Sequence, residues 1–170
     1  MKRALELARA QGSYVSPNPK VGAVLVKNGK IVGEGAHQQY GGPHAEIVAL
    51  KKVGVKAKGA TLYVTLEPCS HYGKTPPCAN AVIEAGIVKV VAAMKDPFAQ
   101  VSGRGFSLLK KAGIKVRIGL LKTEAEKLNE NFVFNMTHNR PKVILKAAMT
   151  LDGKIATVSG KSKWITGPAS

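Results

Sequence analysis

Three residues of types that bind zinc, and one carboxylate, lie within a short stretch of this chain: His44, Cys69 and Cys78, with Glu46 two positions after the histidine. A neutral imidazole and two thiolates suit a tetrahedral zinc. Stopping at three protein ligands leaves a fourth position for water, which separates a catalytic site from a closed structural one. On a helix beginning near His44, a residue two positions on cannot share the histidine's direction. Glu46 is therefore expected beside the water as a proton carrier rather than among the ligands. The chemistry so predicted is that of a zinc hydrolase.

Each piece alone has a plainer reading, because a lone buried histidine or cysteine usually serves packing. Together they weigh more, since both cysteines of the chain fall in this segment. A Cys69–Cys78 disulfide is the rival. The opening residues Met1 to Glu6 have no apolar signal core and no membrane-length apolar run follows, so a reducing cytoplasm is the expected setting, and it favours metal over a disulfide. His-x-Glu followed by Pro-Cys also matches the pattern of zinc nucleobase deaminases. The match is partial: eight residues, Ser70 to Pro77, separate the cysteines here, where nucleic-acid enzymes of that type have about two.

The chain has 170 residues, enough for one well-buried domain or for one domain and the start of another. Its 26 Lys+Arg against 10 Asp+Glu leave a net charge of +16, which favours anionic ligands without choosing between nucleic acid and a phosphate ester. Part of that charge is a solvated face around one helix end, at Lys51, Lys52, Lys56 and Lys58. Few aromatic residues and no arginine-rich run argue against a stacking platform for single strands.

Along the chain, apolar periodicity predicts a helix from Lys2 to Ala10, then the stiff turn Ser16-Pro17-Asn18-Pro19. Val21 to Lys27 and Lys30 to Gly35 read as a hairpin around Asn28-Gly29, a pair suited to a type I′ turn. The helix carrying His44 should run to Lys52, and the strand Ala60 to Leu66 should deliver Pro68-Cys69. A helix from Cys78 to Gly86 is followed by strand Val88 to Met94, helix Gly105 to Ala112, strand Ile114 to Ile118 and one long helix from Thr123 to Met136. Strands alternating with helices after an antiparallel hairpin predict an α/β fold, a three-layer α/β/α sandwich with a mixed sheet.

Longer stretches carry a family resemblance. Pro17-Asn18-Pro19-x-Val21-Gly22, His37, Gly42-x-His44-Ala45-Glu46, the run Thr65 to Cys78 and Glu84-Ala85-Gly86-Ile87 closely resemble the deaminase domain of the bifunctional riboflavin-biosynthesis deaminase/reductases. The intercysteine segment is the most specific part. The resemblance implies a cytidine-deaminase-like fold and zinc-dependent hydrolytic deamination of 2,5-diamino-6-ribosylamino-4(3H)-pyrimidinone 5′-phosphate. By the same resemblance Asn18, His37, His71 and Lys74 match positions that line the pocket and contact pyrimidine, ribose or phosphate, and a lysine suits phosphate as a point charge. Against this, Asn18 between prolines can simply form a turn, His37 can cap the hairpin and Lys74 can be solvated. Gly73-Lys74-Thr75 lacks the upstream glycine of a Walker loop. Asp96-Pro97-Phe98 departs from the family's usual Asp-Pro-Asn.

After Arg140-Pro141 the character changes. Lys142 to Ala156 and Gly160-x-Ser162-x-Trp164-Ile165-Thr166 resemble the opening of the partner reductase domain, which is dihydrofolate-reductase-like and uses NADPH. Ala148 and Trp164 match positions at that cofactor, and Ser162 one at the substrate. A strand and a loop of this length cannot close a nucleotide site, so residues 140–170 are expected to be the truncated start of that domain, and residues 1–139 the zinc-dependent domain. The expected partners are a phosphorylated pyrimidine and a second copy of the chain, with neither membrane nor nucleic acid. Two rival classes stay open: a nucleic-acid (tRNA) base deaminase, which the charge favours, and a non-catalytic zinc module, which Glu46 opposes.

Overall fold

The computed structural model describes residues 1–72, 76–99, 101–138 and 140–162, so Lys74 and Trp164 lie outside the described residues. The chain divides into two units, Met1–Arg140 and Pro141–Ser170.

The first unit is built on a five-stranded sheet. Its elements in chain order are α1 (Lys2–Arg9), β1 (Gly22–Lys27), β2 (Lys30–Ala36), α2 (Ala45–Val53), β3 (Thr61–Leu66), α3 (Cys78–Glu84), β4 (Lys89–Met94), α4 (Arg104–Lys111), β5 (Lys115–Ile118), α5 (Lys122–Leu128) and α6 (Glu130–His138). The strand order is β2-β1-β3-β4-β5. β1 runs antiparallel to both β2 and β3, whereas β3, β4 and β5 are parallel. The mixed sheet expected from an antiparallel hairpin followed by βα alternation is what forms. Asn28 and Gly29 turn the hairpin with φ of 50° and 73°, the pair of positive values that a type I′ turn demands.

Glycines show how the helices reach both faces. A Cβ on Gly22 would collide with the Ala4 carbonyl of α1, and one on Gly35 with the backbone of α2. Gly22 pairs with Ala36, and Gly35 with Ala23; neighbours along a strand point to opposite faces, so α1 and α2 flank opposite sides of the hairpin. α3 packs with α2 and α4, while α5 packs with α1, completing three layers. The core is apolar, with Leu25, Leu62, Val64, Val82, Val90 and Leu109 fully buried.

The long C-terminal helix expected from Thr123 to Met136 is two helices, broken at Asn129. The break has a tertiary cause: Asn129 Oδ1 accepts the Lys20 amide at 2.7 Å, and its Nδ2 donates to the Lys20 carbonyl at 2.9 Å. A bidentate clamp onto a segment far away in sequence holds Asn129 outside helical geometry, at φ -112° and ψ 29°, and apolar periodicity carries no trace of it.

The described part of the second unit, residues 141–162, contains neither helix nor strand. It holds two tight turns, in which the amides of Thr150 and Thr157 donate to the carbonyls of Lys154 and Lys161, both at 2.9 Å. Among the described residues of the unit no segment has a ladder partner, and a lone strand gains no sheet hydrogen bonds.

Candidate active site

His44 caps the N-terminus of α2 with an extended backbone (ψ 160°), so its ring leaves the helix while Glu46 enters the first turn. Strand β3 ends at Leu66 and hands over to Glu67-Pro68-Cys69, and Cys78 opens α3 behind Pro77. Three segments thereby converge. His44 Nδ1 lies 3.1 Å from Cys78 Sγ and 3.6 Å from Cys69 Sγ, and the three donor atoms all fall within 4.8 Å of one another. The Cys78 amide donates to Cys69 Sγ at 3.2 Å. Both cysteines are free thiols, so the disulfide rival does not form.

The charges around this point are held by protons. The Cys69 thiol is driven down to about 4 by a hydrogen bond from Cys78 and by those from His44 and the Cys78 amide. Cys78 is pushed well up by that same bond to Cys69 and by burial, so the proton stays on Cys78. His44 is raised by its bond to Cys69. Burial lifts the Glu46 carboxyl to about 7, with Cys69 adding to the effect. Two sulfurs and one imidazole aimed at a single point, joined to each other only through shared protons, fit a dication that displaces those protons. Their spacing also fits Zn–S and Zn–N bonds of about 2.3 and 2.0 Å.

His44 and Cys69 line a cavity of about 360 Å³, whose wall also includes Asn18, His37, Glu46 and His71, while Cys78 is fully buried. His37 is 2% exposed, and its ring meets that of His44 edge to face, with centroids 5.4 Å apart. Its Nδ1 faces the Pro43 carbonyl at 3.1 Å, and its Nε2 faces Asn18 Nδ2 at 3.0 Å. A carbonyl can only accept, so Nδ1 carries the hydrogen and Nε2 takes one from the asparagine amide. Burial lowers the His37 pKa and keeps the ring neutral. The structure thus gives both ring nitrogens protein partners and turns the asparagine's amide group, leaving its Oδ1 as the remaining acceptor. His71 stands exposed at the rim.

Further residues line the cavity beyond those the sequence motifs point to. Asp96, Phe98, Phe132 and Met136 all face the cavity. Asp96 is raised by burial, opposed by the Phe98 amide that donates to its Oδ1 at 2.9 Å. The signals for them are Asp96-Pro97-Phe98, which stands where the family has Asp-Pro-Asn, and Phe132 and Met136, four residues apart on one helix face. Among the described residues no lysine or arginine lines the cavity, so the charge of +16 is spread elsewhere. Ala148 and Ser162 lie exposed in the second unit. Among the described residues no helix is long and apolar enough to cross a membrane.

Comparison with known proteins agrees with this geometry. The family model for the cytidine and deoxycytidylate deaminase zinc-binding region matches residues 1–94, and that for the RibD C-terminal domain matches residues 141–170. The riboflavin biosynthesis protein RibD of Haemophilus influenzae is 60% identical over 169 residues, covering 99% of this chain and 45% of that protein. The solved structure of Acinetobacter baumannii RibD, form 1, superposes with a TM-score of 0.95 at 51% identity, over 99% of this chain and 47% of that one. The Thermotoga maritima diaminohydroxyphosphoribosylaminopyrimidine deaminase/5-amino-6-(5-phosphoribosylamino)uracil reductase gives 0.88 at 52% identity, over 98% of this chain and 48% of its own. The chain spans about half the length of the curated relatives it matches. On the strength of residues 1–94, the chain belongs to the cytidine and deoxycytidylate deaminase zinc-binding family.

Proposed function

We propose that this chain deaminates 2,5-diamino-6-ribosylamino-4(3H)-pyrimidinone 5′-phosphate, releasing ammonia and 5-amino-6-(5-phosphoribosylamino)uracil for riboflavin synthesis. The observation that carries the reading is the convergence of His44, Cys69 and Cys78 beside the buried Glu46, in a chain 60% identical to a protein named for riboflavin biosynthesis. In this reading His44, Cys69 and Cys78 hold zinc. When bound, zinc supplies a Lewis acid that brings the pKa of water to about 7.

The chain's own groups do the rest. The Glu46 carboxylate, buried beside the three donors, takes a proton from water and returns it to the departing amine. A C–O bond forms at the ring carbon, the C–N bond breaks, and ammonia leaves. Asn18, oriented by His37, offers an acceptor to a ring or amino N–H, and His71 and Lys74 take the ribose phosphate at the rim. Phe98, Phe132 and Met136 supply apolar wall against the ring and exclude water.

Residues 140–170 are the start of an NADPH-dependent reductase domain in this reading, with Ala148 and Trp164 toward the cofactor and Ser162 toward the substrate. Residues 1–139 carry the deaminase. Two free thiols at the centre of the site suit a reducing cytoplasm. The active form is a homo-oligomer, and nucleic acid is not a substrate: eight residues separate the cysteines, where nucleic-acid deaminases have about two.

Incubating the zinc-loaded chain with the ribotide, with cytidine and with tRNA, and measuring ammonia, tests the reading. Release from the ribotide alone is expected; release from tRNA alone would replace it with the nucleic-acid alternative. These 170 residues should show no saturable NADPH binding at micromolar concentrations.

A further inference from the structure

Glu67 carries a buried carboxylate for which the proposed reaction has no use. It lies between the end of β3 and Pro68-Cys69 and is 5% exposed. Each of its oxygens accepts two backbone N–H groups. Oε2 takes those of Asp96 (3.2 Å) and Gly103 (2.9 Å), and Oε1 those of Gly105 (2.9 Å) and Phe106 (3.3 Å). Four donors use the whole accepting capacity of an ionised carboxylate. Among the described residues, the Asp96 and Gly103 amides have no other acceptor.

The segment from β4 into α4 is therefore tied at both ends to one side chain, and the first-turn amides of α4 are closed to any outside anion. The close approach depends on Gly105, where a Cβ would run into the Pro68 carbonyl. What is tied is one wall of the cavity, since Asp96, Phe98 and Val101 all face it. The tie ends two residues from Cys69.

The geometry points to Glu67 as a positioning residue: through the Asp96 amide it sets the Asp96 wall against the bound pyrimidine, and so governs substrate binding rather than metal binding or proton transfer. This rests on the deaminase reading. Glutamine would keep one oxygen but turn an NH₂ toward two N–H groups, releasing half of the tie with almost no change in volume.

Glu67→Gln should raise KM for the ribotide about tenfold while leaving kcat within about threefold and zinc content unchanged. In an Asp96→Ala background the same change should cost less in kcat/KM than in the parent chain, because residues acting through one another are not additive. Additive losses, a loss confined to kcat, or loss of zinc would overturn the assignment. If Glu67→Gln does not fold, residue-resolved amide exchange on the unsubstituted zinc-loaded chain decides: protected Asp96 and Gly103 amides are expected, and exchange at the rate of open loops rejects the tie. Failure of the unsubstituted chain to release ammonia would count against the deaminase reading, whereas fast exchange in an active chain would count against Glu67 alone.

Discussion

In the first unit Leu62 and Val64 are wholly buried, while in the second Leu151 and Val158 are as open as in an extended peptide (0% against 110% exposed). Both units have apolar runs, and both carry motifs that match a family model. The difference lies in what surrounds the motif residues. His44, Glu46, Cys69 and Cys78 project from two helix starts and a strand end of one sheet-based unit, whereas Ala148 and Ser162 lie on exposed chain that forms no sheet among the described residues. A matched motif names residues, but only neighbouring elements make them converge on one point. Hydrophobic content alone does not make a core, because an extended segment removes little apolar surface from water.

Substitutions can press on this contrast. The largest effect is expected at Glu46: Glu46→Gln should lower turnover on the order of a hundredfold or more with zinc retained, and near-normal ammonia release would remove Glu46 from proton transfer. Cys78→Ala comes next. With one ligand of three gone, metal analysis of the purified variant should find well below the roughly one zinc per chain expected of the parent, and full zinc in a Cys69/Cys78 double alanine variant would sink the ligand assignment.

Burial itself gives the third comparison. Leu62→Ala should lower the unfolding free energy by about 3 kcal/mol, read as a shift in the urea midpoint, and an unchanged midpoint would mean the sheet core is not where stability resides. Lys74→Ala should weaken the phosphorylated substrate about tenfold more than its dephosphorylated counterpart; equal losses would assign Lys74 to loop order or the base. The smallest effect belongs to the second unit, where Leu151→Ala should stay within about 0.5 kcal/mol and leave deamination untouched. A large drop in stability there would show that the unit gains a packing partner in solution.

Much was legible from residue types and short spacings. The donor set, the carboxylate two positions after the histidine, the Asn28-Gly29 hairpin and the βα alternation are local features, and local sterics and periodicity determine them. The sequence by itself thus determined the elements up to the last helix, the mixed sheet and the residue types available for binding a metal. Tertiary structure decided what depends on contacts distant in the chain. Asn129 breaks the last helix by clamping Lys20, 109 positions away. The His37 ring finds Asn18 19 positions back and so orients an amide instead of standing free. Glu67 gathers amides 29 to 39 residues downstream. Each is a polar group that had to find a partner once burial removed its water, and which partner it meets is set by the packing of helices on the sheet, which no spacing along the chain records.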